Sequence, residues 1–327
     1  MTVVSVGDTI RHHYNDIKYA ILNNDPIESH LHVIVVISNP CLYASRYVLL
    51  KEFIHRIEKE ESNVILYIVE LIYPGQKYTI TSFNHKNHLQ LYCETPLWHK
   101  ENMINIGVRR LLPSNWSAFA WIDADIEFES ATWVTDTLKI LNGSRDIIQL
   151  FSHSIDMDFS KRNLNIFNSF GYSFCKEKNY TTRGLDYWHP GYAWAITRKA
   201  YESIGGLYDL GILGSGDNIM AMSLIHKVEK MTNPKYSSEY NKSMFDFQQK
   251  ASKLRLGYTP GVIRHHYHGS KQNRQYTERW KILIQHNYNP QIHVKYSIEG
   301  VLTPSNVFSA EFKKSIFKYF TQRKEDS

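Results

Sequence analysis

Short, wholly apolar runs alternate along the chain with longer stretches in which apolar residues recur every three or four positions. His32 to Ser38 reads HVIVVIS and closes on Asn39-Pro40, the pattern of a buried strand ending in a turn. From Ala44 to Glu61, Tyr47, Leu50, Phe53, Ile54 and Ile57 fall at i, i+3, i+4 spacing with charges between them, which predicts a helix. Asn63 ends it, and Val64 to Ile72 (VILYIVELI) is a second buried strand. Strand, helix and strand make a βαβ unit, hence a parallel sheet with a right-handed crossover. A polar, hairpin-like stretch including Tyr78 to Ser82 leads to a short strand, Leu89 to Cys93. Leu97 to Leu112 predicts a helix with Leu97, Glu101, Ile104 and Val108 on one face, stopped by Pro113-Ser114-Asn115. Phe119 to Phe128 reads as one further strand. The expected fold class is α/β, a Rossmann-like mixed, mainly parallel sheet flanked by helices. Ligands of such sheets gather at the carboxyl ends of the strands, where Asn39, Glu70 and Asp123 fall, so residues 30–128 read as a nucleotide-binding half.

The second half is less regular. Residues 133–141 predict a helix, Asp146 to Ser152 a strand, and Ile155 to Tyr187 a long polar connection suited to an acceptor surface. Tyr192 to Thr197 is a strand entering the helix Arg198 to Ile204, which Gly205-Gly206 ends. Gly214-Ser215-Gly216-Asp217 precedes a helix from Asn218 to Glu229, where Asp217 is either a helix cap or a functional carboxylate.

The chemistry concentrates in Trp121-Ile122-Asp123-Ala124-Asp125-Ile126-Glu127-Phe128. On one continuous strand Asp123 and Asp125 project to the same side, within reach of one hard divalent cation. The run holds no Lys or Arg to pair them, and buried carboxylates are costly without a partner or a metal. Late in the chain, Arg264-His265-His266-Tyr267-His268-Gly269 puts His266 and His268 on one strand face and His265 on the other. His268 is the preferred third ligand, because Gly269 permits close approach, with His266 second; two carboxylates and an imidazole suit Mn²⁺. Lys271, Arg274 and Arg279 offer cationic cover for phosphate.

With 327 residues, 43% of them hydrophobic, the chain is long enough for one large domain with a sizeable core. The net charge of +6 is spread along the sequence rather than blocked, so an anionic ligand fits and no nucleic acid is expected. Three cysteines, Cys41, Cys93 and Cys175, form no CxxC pair. Together with the absence of signal-peptide character and of any stretch of roughly 20 apolar residues, this leads to an expectation of a cytoplasmic protein without a transmembrane segment. Residues 301–327 form an amphipathic basic tail in which Phe312, Ile316, Phe317 and Phe320 oppose Lys313, Lys314, Lys318 and Arg323. Its apolar face suits docking on the core or on a second subunit of a homodimer, and less well a peripheral contact with an anionic membrane.

The order of these motifs resembles the glycosyltransferases of the GT-A fold. The resemblance covers roughly residues 30–290 and rests on the AspXAsp motif at Asp123 and Asp125, the Lys100-containing helix start Trp98-His99-Lys100-Glu101, the acidic Asp217 after a glycine-rich turn, and the late histidines. It implies one GT-A-like domain over 30–300, with 30–128 for the nucleotide and 129–300 for sugar and acceptor, preceded by an extension of residues 1–29. It further implies Mn²⁺ or Mg²⁺ gripping the diphosphate of a nucleotide sugar, UDP-linked by default for the class, and transfer to a glycan, protein or other hydroxyl acceptor. Lys100 then sits near the nucleotide, and His189-Pro190-Gly191-Tyr192-Ala193-Trp194 is similar to the sugar and acceptor loop. Trp188, Tyr192 and Trp194 stack on sugar faces or pack in the core, and Glu70 meets the ribose or uracil or forms a salt bridge. Asp217 is the candidate base if transfer inverts the anomeric centre; the chain has Gly-Ser-Gly-Asp where the best-known subfamilies have an acidic pair. Two rival classes are a metal-dependent phosphoesterase and a non-catalytic carbohydrate- or nucleotide-binding relative.

Overall fold

A computed structural model describes residues 29–184, 186–270, 272–274 and 278–326. The extension, apart from Ser29, and Lys271 lie outside the described residues. The first elements are β1 (Leu31–Ser38), α1 (Ala44–Glu60), β2 (Val64–Ile72), β3 (His88–Tyr92), α2 (Lys100–Leu111), β4 (Ala118–Ile122), β5 (Ile126–Phe128) and α3 (Trp133–Leu141). There follow β6 (Ile147–Gln149), β7 (His153–Met157), β8 (Asn163–Ser169), α4 (Phe170–Cys175), β9 (Trp188–His189), β10 (Ala193–Thr197), α5 (Arg198–Ile204), α6 (Gly216–Leu224) and α7 (Ser238–Ala251). The chain continues through β11 (Leu256–Tyr258), β12 (Val262–His265), α8 (Arg279–Gln285), α9 (Pro290–His293), β13 (Val294–Tyr296), β14 (Leu302–Pro304) and α10 (Ala310–Gln322).

Seven strands form the main sheet in the order β11-β6-β10-β4-β1-β2-β3. It is parallel except at β10, which runs against both β4 and β6. Alternation along the strands splits the core in two. Phe119 and Trp121 of β4 pack on the α2 side with Met103, Ile106 and Val108, while Ala118, Ala120 and Ile122 pack with Leu50, Phe53 and Ile57 of α1. Gly107 lets α2 lie close on the sheet, since a Cβ there would stand 3.1 Å from Val69 Cγ2 and 3.2 Å from Ile34 Cγ2.

The expected α/β class, with a mixed, mainly parallel sheet flanked by helices, is what the chain forms. Two local expectations are corrected. Phe119 to Phe128 is not one strand: β4 belongs to the main sheet, β5 belongs to a second, five-stranded sheet (β5-β12-β7-β8-β9), and residues 123–125 form the turn between them. The amide of Asp123 donates to Tyr192 O at 2.8 Å and that of His266 to Asp125 O at 2.7 Å, so the turn is tied to both sheets. The stretch from Ile155 to Tyr187 contains the antiparallel pair β7–β8 and α4 rather than a bare connection. The C-terminal tail docks on its own core, one of the dockings expected for it: Phe312, Ile316, Tyr319 and Phe320 are buried in the cluster that holds α2, while Phe317, expected on the same face, is 45% exposed. No helix among the described residues is long and apolar enough to cross a membrane.

Candidate metal centre and pocket

A cavity of about 840 Å³ opens at the carboxyl ends of β1 and β4, where the two sheets meet. The turn between β4 and β5 enters its middle and sends its two carboxylates in different directions. Asp123 forms an ion pair with Lys100, the first residue of α2. Asp125 turns to the end of β12, where its Oδ2 lies 2.7 Å from His268 Nε2 and 3.6 Å from His265 Nε2. The two imidazole Nε2 atoms are 3.3 Å apart. Asp125, His265 and His268 thus offer three ligand atoms within 4.8 Å of one another.

The electrostatics fit a cation. Burial pushes Asp125 up, but His268 and His265 outweigh it and hold the carboxyl well below its usual range. Burial drives the His268 imidazole down to about 4 against the pull of Asp125, leaving a neutral ring. Burial also lowers His265, but Asp125 and Asp156 overcome it and raise this ring. Asp156 Oδ1 accepts from His265 Nδ1 at 3.0 Å and from the Tyr192 hydroxyl at 2.9 Å, which leaves His265 Nε2 directed at the cluster. Asp125 Oδ1 is buried and has no hydrogen-bond partner among the described residues. A carboxylate and two imidazoles, one carboxylate oxygen orphaned, form a donor set suited to Mn²⁺.

Asp217 lines the same cavity from the first turn of α6. Ser215 precedes that helix at φ 70° and is held by Arg279, while Gly216 lies against Glu101, whose Cδ would stand 2.5 Å from a Cβ at that position. Opposite, Gly191 abuts the carboxylate, since a Cβ there would lie 2.9 Å from Asp217 Oδ2. Glu101 itself is buried, and burial, opposed by Lys100, pushes its carboxyl up to about 8.

Of the residues singled out in the sequence, Lys100, Asp123, Asp125, Trp188, His189, Gly191, Asp217, His268 and Arg274 all line the cavity. Arg274 donates to His268 Nε2 at 2.8 Å. Four others do other work. Strand β12 ends at His265, so strict alternation stops there; His266 turns to Glu127 Oε2 at 3.3 Å, away from the cluster, and His265 takes the place expected for it. Asn39 closes the turn after β1, accepting from Tyr43 N at 3.0 Å and donating to Tyr43 O at 2.8 Å. Glu70 accepts from the backbone of Thr79, Ile80 and Thr81 and organises the loop before β3, so it neither meets a ligand in this cavity nor forms a salt bridge among the described residues. Trp194 is buried in the core and donates to Pro190 O at 2.9 Å. Asp123, expected to bind the metal alongside Asp125, is instead paired by Lys100, a cation from outside its own run.

His265, Asp156, Arg46 and Arg323 were not signalled as site residues. The i, i+3 spacing of His265 and His268 across a strand end is the one pattern that marks the first of them; Arg46 lies in α1 and Arg323 just after α10, far apart in sequence, and nothing in the spacing joins them.

No protein-family model matches the chain, and no curated protein matches it. Among solved structures, it is similar to the catalytic domain of Drosophila β-1,4-galactosyltransferase 7 in complex with xylobiose, at 9% identity and TM-score 0.43, covering 88% of this chain and 98% of that one. A variant of that enzyme in complex with manganese, UDP-Gal and xylobiose gives 10% identity and TM-score 0.42 over the same shares. The 4-diphosphocytidyl-2C-methyl-D-erythritol synthase of Anaerococcus prevotii gives 12% identity and TM-score 0.31, covering 71% of this chain and 88% of that chain. These are likenesses of overall outline only.

Proposed function

We propose that this protein is a metal-dependent glycosyltransferase that moves a sugar from a nucleotide-sugar donor to a hydroxyl acceptor. The observation that carries this reading is the convergence of Asp125, His265 and His268 in the middle of one cavity that also holds Lys100 and Asp217. A divalent cation held by those three residues, Mn²⁺ or Mg²⁺, would supply the charge neutralisation that a departing nucleoside diphosphate requires. Val36, Ser38, Pro40 and Leu49 line the end of the cavity suited to the nucleoside, and Phe167, Tyr180, Tyr187 and Trp188 the end suited to sugar and acceptor. The uridine base rests on the family resemblance alone.

Lys100, fixed against Asp123, lends positive charge where the diphosphate would leave. In a single displacement that inverts the anomeric centre, Asp217 is the residue that would take the proton of the acceptor hydroxyl. His189, stacked on Tyr192 with ring centroids 4.0 Å apart, and Trp188, whose Nε1 is buried without a partner among the described residues, form a rigid floor for the transferred sugar. A two-metal phosphoesterase is less well supported, because Asp125, His265 and His268 are the one such cluster among the described residues and two-metal hydrolysis needs two cations about 4 Å apart.

The test is release of nucleoside diphosphate from a panel of sugar nucleotides, with Mn²⁺ and with chelator. We expect one donor to be cleaved in a metal-dependent way, Asp125→Ala to abolish cleavage and metal-dependent donor binding, and Asp217→Asn to keep donor binding while transfer falls roughly 10²- to 10⁴-fold. No release from any donor, together with no metal-dependent binding of UDP, refutes the proposal. Full transfer by Asp217→Asn refutes the assignment of the base.

A further inference from the structure

The segment after α10 is built into the pocket. After α10, Arg323 and Glu325 line the same cavity as the metal cluster and are 4% and 2% exposed. Three walls hold this segment. At the β1–α1 corner, Arg46 grips Glu325 with two parallel bonds, Nε to Oε2 at 2.5 Å and Nη2 to Oε1 at 2.8 Å, while its Nη1 donates to Ser38 O at 2.8 Å. At the start of α1, the amides of Ala44 and Ser45 donate to the two oxygens of Asp326, each at 2.8 Å, and Tyr43 donates to Phe320 O and accepts from Lys324 N. Beside the metal cluster, Gly269 at φ 88° brings the turn after His268 against the tail, where a Cβ would stand 2.9 Å from Glu325 Cα. The glycine beside the preferred histidine therefore makes room for residues 323–325.

Two acidic side chains thus latch the segment to α1, and between them and α10 stands Arg323. Its guanidinium lies 5.2 Å from the centroid of the Trp98 ring, whose Nε1 is buried without a partner among the described residues, and donates to Glu325 at 2.5 Å and to the Tyr319 hydroxyl at 2.9 Å. Arg279 reaches the same hydroxyl at 3.3 Å. A planar, preorganised guanidinium at the cavity wall, with a second one beside it, is suited to a phosphoryl group approached by two oxygens.

We propose that the C-terminal segment 323–326 is a wall of the donor subsite, with Arg323 as a binding residue for the donor's diphosphate and Glu325 and Asp326 as the latch that fixes it. This rests on the glycosyltransferase reading above, and deepens it by naming residues far from the AspXAsp motif that recognise the anion.

The experiment is calorimetric titration of the 327-residue chain, in saturating Mn²⁺, with UDP and with inorganic pyrophosphate, which lacks the base. The same titrations follow for Arg323→Gln, Glu325→Gln and a chain ending at Gln322, each also titrated with Mn²⁺ alone. We expect Arg323→Gln and the shortened chain to bind both probes roughly ten- to a hundredfold more weakly with Mn²⁺ affinity unchanged. We also expect UDP with Mn²⁺ to slow carboxypeptidase trimming of the wild type, and Glu325→Gln to be trimmed faster than wild type. Wild-type affinity for both probes in Arg323→Gln and in the shortened chain overturns the proposal, as does tighter binding, which would make the tail a competitor. Loss of Mn²⁺ binding in step with UDP binding also overturns it, since the tail would then merely support the metal cluster. A wild type that binds Mn²⁺ but neither probe removes the glycosyltransferase reading and this inference together, whereas normal wild-type binding unaffected by the tail removes the inference alone.

Discussion

Asp156 is the residue whose replacement most directly probes the metal centre without touching a ligand atom. It is 2% exposed, and its Oδ1 accepts from both His265 Nδ1 at 3.0 Å and the Tyr192 hydroxyl at 2.9 Å. With the proton on Nδ1, His265 presents a lone pair at Nε2, 3.6 Å from Asp125 Oδ2 and 3.3 Å from His268 Nε2. Asp156→Asn keeps the shape but removes the charge, and it offers an NH₂ that can turn toward Nδ1. That turn would move the ring proton to Nε2 and point it into the cluster, where it opposes a cation. Partners that orient metal-binding histidines are typically worth a ten- to hundredfold in metal affinity, about 1.4 to 2.7 kcal/mol. We therefore expect the Mn²⁺ dissociation constant of Asp156→Asn to rise by that factor, read from the electron paramagnetic resonance signal of free Mn²⁺ in a titration. Tyr192→Phe should cost less, because the carboxylate and its bond to His265 remain. The reasoning fails if Asp156→Asn, folded by circular dichroism, binds Mn²⁺ as tightly as the wild type while His265→Ala does not.

Two further predictions concern stability. Burial raises the Glu101 carboxyl from 4.5 to about 8, so its contribution to stability is fully present below about pH 4.5 and is lost as the pH rises through 8. Glu101→Gln removes that loss: its stability relative to wild type in urea unfolding should increase from pH 5 to pH 8.5 by a few kcal/mol, and an equal difference at the two pH values would refute the assignment. Gly269→Ala must place a Cβ at φ 88° and 2.9 Å from Glu325 Cα. We expect it to cost about 1–3 kcal/mol in thermal unfolding and to speed carboxypeptidase trimming of the tail; an unchanged melting temperature would show that the tail does not pack on this turn.

The βαβ start was legible because β1, α1 and β2 obey single periods over eight or more residues, and their apolar positions fall where the core needs them. The short strands of the second sheet, three to five residues at β5, β7 and β12, carry too few positions to fix a period. Residues 155–187 therefore read as a connection. The run from Phe119 to Phe128 misled for a different reason: its apolar residues belong to two strands in register with different partners, and no feature of hydropathy marks the break at Asp123. Within the site, residues adjacent in sequence were recognised as a group, whereas the pairing of Lys100 with Asp123, of Asp156 with His265 and of Arg46 with Glu325 each joins segments that local spacing cannot relate.

That break explains why the carboxylates take different roles. On one continuous strand both would face the same way and share a cation. In the turn between the sheets, Asp123 is still bonded through its amide to the loop entering β10 of the main sheet, and it meets a lysine delivered by α2, a helix of that sheet. Asp125 has already crossed to the second sheet, where the backbone bond from His266 fixes it beside the end of β12. The two histidines reach it because β12 stops at His265 and the next turn brings His268 round at i+3. A cation at Asp125, His265 and His268 would therefore bind at the seam and contribute its binding energy to holding the sheets together. The C-terminal segment meets the same seam through Gly269 while clasping α1 through Arg46. Metal ligation at that cluster would thus restrain, from the opposite side, the junction that the tail already clasps, with the cavity between them.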